Sequence, residues 1–256
     1  MSTVFQKSRI SEPAVFGPSD TISPADDFPE ICVSTFSEKT IRSFAASNQA
    51  EIIAWLPSSG DALPVYRAVC RDTEVAFYLS RVGAPACVAA LEEVIAMGAR
   101  SFVLFGSCGV LDDAVGERII VPVSAFRDEG TSYHYCEPSE EIEADGRSLE
   151  ILEAVLEKSG FPYIKGKTWT TDALYRETPS AVRERKAAGC LAVEMECAAM
   201  MAAAQYRRIS FAQFLYGADS LASEEWSASG PFRHGGARLE SYMQLAVECG
   251  RMLQRI

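Results

Sequence analysis

From residue 31 onward, short apolar runs alternate with amphipathic segments. Ile31, Cys32 and Val33 read as a strand, and 38–47 reads as a helix. A strand is expected over 75–79. A helix follows over 86–97, with Val88, Leu91, Val94 and Ile95 at helical spacing and Gly98 as its stop. The continuous apolar run 101–105 fits a strand buried on both faces. It leads into a turn marked by glycines, 106–109. The next strand, 118–125, contains Pro122 and is therefore expected to bend or lie near an edge. Leu149, Leu152, Val155 and Leu156 mark one face of a helix over 147–158. A strand at 190–193, a helix at 195–206, a strand at 209–216 and a helix at 238–254 complete the pattern. Strands alternating with helices predict an α/β fold with a largely parallel core. With no internal boundary visible, 30–256 is read as one domain. The Ser-, Pro- and Asp-rich stretch 1–29 is read as an extended arm or lead-in.

The chain has 256 residues, 48% of them hydrophobic, which is enough to bury a sizeable core. With 35 acidic against 24 basic residues the net charge is −11, which argues against a nucleic-acid partner. A nucleoside, which carries no phosphate, remains compatible. The eight cysteines show no C-x-x-C and no zinc-like spacing with histidine, so reduced, mostly buried thiols are expected, as in the cytoplasm. No apolar run approaches 18 residues, and the N-terminus has no apolar signal core, so neither a membrane span nor a signal peptide is expected.

The most informative stretch is 189–200, GCLAVEMECAAM. Glu194 and Glu196 sit two positions apart at the end of an apolar strand. In extended geometry they would share one face, with Met195 on the other. Strand carboxyl ends are where ligands bind in open α/β sheets. A carboxylate pair there can grip vicinal hydroxyls, as in a ribose. The plainer alternative is that both glutamates complement the dipole of the next helix.

Four other segments have the look of site loops. In 105–109, Gly106 and Gly109 would let backbone N–H groups approach a ligand, and Ser107 adds a hydroxyl; a plain strand-exit turn is the alternative. The run 127–135, RDEGTSYHY, is dense in polar and aromatic groups, and His134 there is read as structural first. In 168–177, Trp169 or Tyr175 could stack on a planar base and Arg176 could donate to a base carbonyl; a core tryptophan and a solvated arginine are the alternative. In 216–220, Asp219 could protonate a leaving nitrogen or serve as a helix cap.

Taken in order, GSCG at 106–109, RDEGTSYHY at 127–135, TWTTDALYRET at 168–178, VEMECAA at 193–199 and GADS at 217–220 resemble the nucleoside phosphorylase superfamily over about 31–250. The resemblance implies a single three-layer α/β domain, with a central mostly parallel or mixed sheet flanked by helices. It also implies cleavage of an N-glycosidic bond. It places the ribose-gripping glutamate on Glu196, the methionine under the sugar on Met195, the glycine-turn hydroxyl on Ser107 and the base-side aspartate on Asp219. It implies inorganic phosphate as co-substrate, no resident cofactor or metal, a small-molecule nucleoside as partner, and a homo-oligomer, a dimer or trimer of dimers.

This chain departs from that pattern where phosphate should bind. The first loop, 33–40, has no glycine or arginine, and Lys39 is its only cation. The arginine expected two residues before the glycine turn is Leu104. Arg127 is the first substitute within the subunit, with Ser107 beside it; Arg42, Arg67 and Arg81 are others. Three readings follow: a phosphorylase, a nucleosidase in which water replaces phosphate and Glu38 lies in the activating loop, or a nucleoside-binding protein without chemistry.

Overall fold

The computed structural model describes residues 10–25, 27–58, 60–223, 226–228 and 236–255. Among them are strands β1 (Ile31–Thr35), β2 (Glu51–Leu56), β3 (Leu63–Cys70), β4 (Thr73–Leu79), β5 (Ser101–Val110), β6 (Ile119–Asp128), β7 (Glu141–Glu143), β8 (Tyr163–Thr171), β9 (Cys190–Glu194) and β10 (Ser210–Ser220). The helices are α1 (Glu38–Ser47), α2 (Ala84–Met97), α3 (Gly146–Ser159), α4 (Pro179–Ala187), α5 (Cys197–Arg207) and α6 (Gly236–Leu253).

All the strands join one mixed sheet. β4, β1, β5 and β10 run parallel side by side, with Cys32 beside Ala76 and Phe102, and Phe102 beside Phe211. The β2–β3 hairpin extends this half antiparallel to β4. On the other side β5 pairs with both β10 and β9, β9 with β8, β8 with β6, and β6 with β10. Those five pairings close a ring.

Side chains alternate across the open half of the sheet. Cys32, Ala76, Tyr78, Phe102 and Leu104 pack with α2 and α5 on one face. Ile31, Val33, Val75, Phe77, Val103 and Phe105 pack with α1, α3 and α6 on the other. The result is three layers, with β1, β4 and β5 buried on both faces, as the unbroken apolar runs predict. All eight cysteines are free and six are buried. Among the described residues no helix is long and apolar enough to cross a membrane.

Several expectations need correction. The glycine segment 106–109 is not a turn: β5 continues through it to Val110, paired with β10 and β9. GADS likewise continues β10, with a bulge between Gly217 and Asp219. Residues 168–171 end strand β8 rather than forming a loop. Strand β8 alternates Lys, Gly and Thr, and α4 buries only Val182, so neither carries an apolar period to read. Pro122 sits at the start of a register shift between β6 and β8, which accommodates its missing donor inside the sheet. Of the stretch 1–29, expected as an extended arm or a partly ordered lead-in, the part from residue 18 onward packs on the domain. A 3-10 helix (Pro18–Asp20) comes first, Ala25 N–H donates to the Met97 carbonyl at 3.1 Å, and Phe28 is buried against Gly98. Residues 1–9 lie outside the described part.

The fit of α6 on the sheet leaves no room for one extra carbon. A Cβ on Gly250 would lie 2.5 Å from Cγ2 of Ile31, which is 1% exposed. Gly250→Ala should therefore lower stability by about 1–3 kcal/mol through overpacking. That outweighs the roughly 1 kcal/mol that alanine gains over glycine in a helix. Urea denaturation checks this: an unchanged or raised midpoint would show that α6 packs more loosely.

Candidate active site

The β9–α5 junction holds the two glutamates, but in unlike environments. Glu194 is 6% exposed and is surrounded by donors. Its Oε2 accepts the backbone N–H groups of Glu196 and Cys197 at 2.7 and 2.6 Å. Its Oε1 accepts the hydroxyls of Thr170 at 2.6 Å and Thr168 at 3.4 Å. Thr170 Oγ1 in turn accepts from Ala198 N–H at 2.9 Å. One carboxylate thus satisfies the first free N–H groups of α5 and fastens them to β8. The expectation of two glutamates gripping one ligand on a shared face is corrected. The chain is no longer extended at Glu196, which caps α5 with φ −136° and ψ −31°.

Glu196 points across the molecule instead. Its Oε1 accepts the N–H of Gly83 at 2.6 Å, at the start of α2 and beyond the carboxyl end of β4. Gly83 has φ +98°, a conformation that favours glycine, and Pro85 follows inside the first turn of α2. Among the described residues no donor reaches Glu196 Oε2. Burial raises the carboxyls of both Glu194 and Glu196 above their ordinary value, and the charge of Glu194 adds to the effect on Glu196. Met195 between them is half-buried. Glu196 is thus a buried carboxyl with one donor and one unoccupied oxygen, at the end of a parallel strand group.

Asp219 lies beside Gly109 in the β10–β5 register. A Cβ on Gly109 would fall 2.7 Å from Leu221 and 2.9 Å from Val193, and 3.5 Å from Asp219 Oδ1, so β9 and β10 close on β5 only around a glycine. Ser107 is exposed two residues earlier. Asp219 Oδ2 accepts the indole N–H of Trp226 at 2.7 Å. Glu177, just before the Thr178 cap of α4, is half-buried, and burial together with the Asp219 charge lifts its carboxyl to about 7. Trp226 carries no signal in the sequence, because it acquires its partner only through the fold. Phe36 and Gly83 were missed as well; the Gly-x-Pro spacing at a helix start was the signal for Gly83.

Other expected residues go elsewhere. Trp169 is 2% exposed, packs with Leu111, Phe126, Val193 and Leu221, and donates to Asp128 at 2.9 Å. It offers no face for base stacking. Tyr175 is 92% exposed, and Arg176 is exposed on the 3-10 helix Leu174–Arg176. Arg127 is 5% exposed and spends its guanidinium on its own loop: Nε on Ser132, Nη1 on Ser139 and the Glu137 carbonyl, Nη2 on the Cys136 carbonyl. It also lies 4.1 Å over the Tyr133 ring. That structural work corrects its reading as a phosphate ligand. Arg42 pairs with Glu38 at 2.6 Å on the surface, Arg67 pairs with Asp27 and Glu51, and Arg81 donates to the Pro57 carbonyl at 2.8 Å. Lys39 is exposed. The Phe36 ring lies so close over Gly106 that a Cβ there would meet it at 2.7 Å. Among the described residues no group of three His, Cys, Asp or Glu side chains could hold a metal.

The structure is a three-layer mixed α/β fold with a buried glutamate, Glu196, where strand β9 gives way to α5. The family model described as the phosphorylase superfamily matches residues 30–249, and the chain belongs to that superfamily. A guanosine phosphorylase of Halorubrum lacusprofundi is 30% identical over 135 residues, 52% of this chain and 56% of that protein. A uridine phosphorylase of Thermococcus kodakarensis is 34% identical over 99 residues, 37% of this chain and 34% of that protein. The chain thus matches about half the length of the first of these relatives and a third of the second. Among solved structures, the uridine phosphorylase of Vibrio fischeri aligns with a TM-score of 0.72 at 20% identity, covering 96% of this chain and 98% of that one. The AMP nucleosidase of Bacteroides thetaiotaomicron aligns with 0.71 at 18%, covering 89% and 90%. These two show the shared fold.

The two glutamates should separate in a stability measurement. Glu194→Ala leaves the α5 N–H donors unpaired in a dry site and should cost about 2–4 kcal/mol. Glu196→Gln should change stability near neutral pH far less. The pH dependence follows from the raised Glu196 carboxyl. The native state keeps a proton that the unfolded chain has lost above about pH 4.5, so this contribution is complete below that value and is lost as pH rises through the native value. Glu196→Gln should flatten the decline in stability above pH 4.5. Equal denaturation midpoints for wild type and Glu194→Ala, or an unaltered pH profile in Glu196→Gln, would contradict these assignments.

Proposed function

We propose that this protein cleaves the N-glycosidic bond of a nucleoside, holding the sugar at Glu196. The observation that carries the reading is that buried carboxyl, anchored to Gly83 through one oxygen and open at the other. Sugar hydroxyls are donors and would fill the vacant acceptor position. Breaking the bond builds positive charge on the sugar and negative charge on the base, so an acceptor that polarises the sugar hydroxyls and a proton source at the base both lower the barrier. Met195 would pack beside the sugar, and the Ser107–Gly109 strand would line its other side.

The acceptor is phosphate in the reading supported by the guanosine and uridine phosphorylase relatives. Because Arg42, Arg67, Arg81 and Arg127 are all engaged within the subunit, phosphorolysis would take its cations from a second copy of the chain. That accords with a homo-oligomer built from dimers, with neither nucleic acid nor a resident cofactor required. Hydrolysis is the second reading, favoured by the same inventory of engaged cations and by Phe36 packed over Gly106. A dianion without an arginine fork is poorly held, whereas water needs no such fork.

Incubation with a panel of purine and pyrimidine nucleosides, with and without phosphate, tests both. Free base should appear, with ribose 1-phosphate only in the phosphorolytic case and free ribose in the hydrolytic one. Glu196→Gln should lower kcat/KM by about 2–4 kcal/mol of transition-state stabilisation, a factor of roughly 30–1000. Nucleoside binding without cleavage in either buffer would leave a binding protein, and unchanged kcat/KM in the variant would remove Glu196 from the sugar.

A further inference from the structure

We infer that Gly83 is a positioning residue for Glu196: the backbone turn that glycine permits there aims an N–H, not a carbonyl, at the carboxyl and fixes it as an acceptor. The inference deepens the proposed N-glycosidic cleavage and rests on that reading. The two residues lie 113 positions apart in sequence, and the fold brings them to 2.6 Å, Gly83 N–H to Glu196 Oε1. Gly83 has φ +98° and ψ +136°. The Cβ of an L-residue makes that combination costly, whereas glycine adopts it freely.

The chain is pinned on both sides of this turn. Ser80 N–H donates to the Thr35 carbonyl at 2.9 Å, which holds the end of β4 against β1. The Gly83 carbonyl accepts the Cys87 N–H at 3.0 Å, the first bond of α2, and Pro85 stiffens that first turn. Between these fixed points the 82–83 peptide can turn over, and Val82, 65% exposed, has no packing to resist it. Turning it over reverses the sign of φ at residue 83, the same relation that separates type II from type I turns. It also exchanges the Gly83 N–H for the Val82 carbonyl in front of Glu196. Space does not demand a glycine here, because a Cβ on Gly83 would meet no atom within 4 Å among the described residues. Handedness demands it, and what the handedness supplies is the donor.

A donor in front of a carboxyl favours its ionised, accepting form, whereas a carbonyl there favours the protonated form, which alone can donate to it. The titratable groups that act on Glu196 or feel its charge are Glu194 from β9, Cys87 from α2 and Cys197 from α5. Burial keeps both thiols neutral. Arg81, at the end of β4, turns its guanidinium to the Pro57 carbonyl. Burial raises the Glu196 carboxyl, and the Gly83 N–H works against that rise. An alanine at this position therefore leaves a carboxyl that holds its proton to higher pH and gives it to the backbone rather than accepting from a sugar hydroxyl.

The test reads this hydrogen bond first without activity and then with it. In protein labelled with 13C and 15N, the carboxyl resonance missing from Glu196→Gln should titrate above the ordinary glutamate range, and the Gly83 amide proton should shift with the same midpoint. Gly83→Ala should move that carboxyl midpoint to higher pH. Gly116→Ala strains another positive-φ glycine (φ +56°) with open space around it, and should leave the midpoint where it is. With a nucleoside near neutral pH, Gly83→Ala should lose about 10- to 100-fold in kcat/KM, the scale of one lost hydrogen bond to a charged group. Its rise of kcat/KM with pH should also move to higher pH, while Gly116→Ala should match wild type. A Glu196 carboxyl that titrates alike in wild type and Gly83→Ala, or that moves as far in Gly116→Ala, would overturn the inference. So would equal kcat/KM in wild type and Gly83→Ala, or a Gly83 amide proton that ignores the Glu196 titration. That last measurement needs only the wild-type protein and decides the matter if Gly83→Ala does not fold. Wild type that cleaves no nucleoside removes the functional reading, and the two titrations then decide by themselves whether Gly83 sets the state of Glu196.

Discussion

The site depends on a single buried carboxylate that does not itself face a ligand. Glu194 gathers two N–H groups from the first turn of α5 and two hydroxyls from β8. The first free N–H groups of a helix must find acceptors, and here they lie in a dry interior where leaving them bare costs about 1–3 kcal/mol each. Glu194 meets that requirement and in doing so fixes how the chain turns from β9 into α5. The turn sends Glu196 away from Glu194 and over Gly83, so its carboxyl is aimed by its neighbour rather than paired with it. Two glutamates two residues apart thus do different work: one holds the helix start, and the other is left with an open oxygen.

A second constraint is the closeness of strands at the ring. β5 pairs with β10 along its whole length, with β1 along its first half and with β9 at its end. Three strands converge on Gly109, where any side chain would collide with Val193 and Leu221. The same crowding brings Asp219 of β10 next to β5, and the return of the chain after Ser220 sets Trp226 on it. The surroundings of Asp219 are therefore assembled from segments distant in sequence, β5, β10 and the return after it. Those of Glu196 come from β9–α5 and the start of α2.

The cations show how a pattern that looks chemical in sequence is redirected by tertiary partners. Arg127 opens a polar, aromatic loop that reads as a ligand site. The fold buries it and uses its rigid fork of donors to tie together 132–139. Arg67 is shared by two acids and Arg81 by a carbonyl. In the first loop, Phe36 packs against Gly106.

The sequence alone determined the α/β alternation, the strands buried on both faces and the bounds of α1, because apolar period and run length report burial directly. It also carried, through several motifs in order, the resemblance to the superfamily. It did not show β8 or α4, whose burial rests on Thr, Gly and one valine rather than on a periodic apolar face. It did not show that GSCG and GADS lie within strands, because glycine gives no sign of whether it serves a turn or a close strand crossing. Nor did it show which of several polar residues face the site. Tertiary structure decided that Trp169 fills a core, that Arg127 braces a loop, and that Trp226 meets Asp219. The reason is physical: a side chain's chemistry is fixed by its type, but its charge state and availability are set by the donors, acceptors and solvent that the fold places around it.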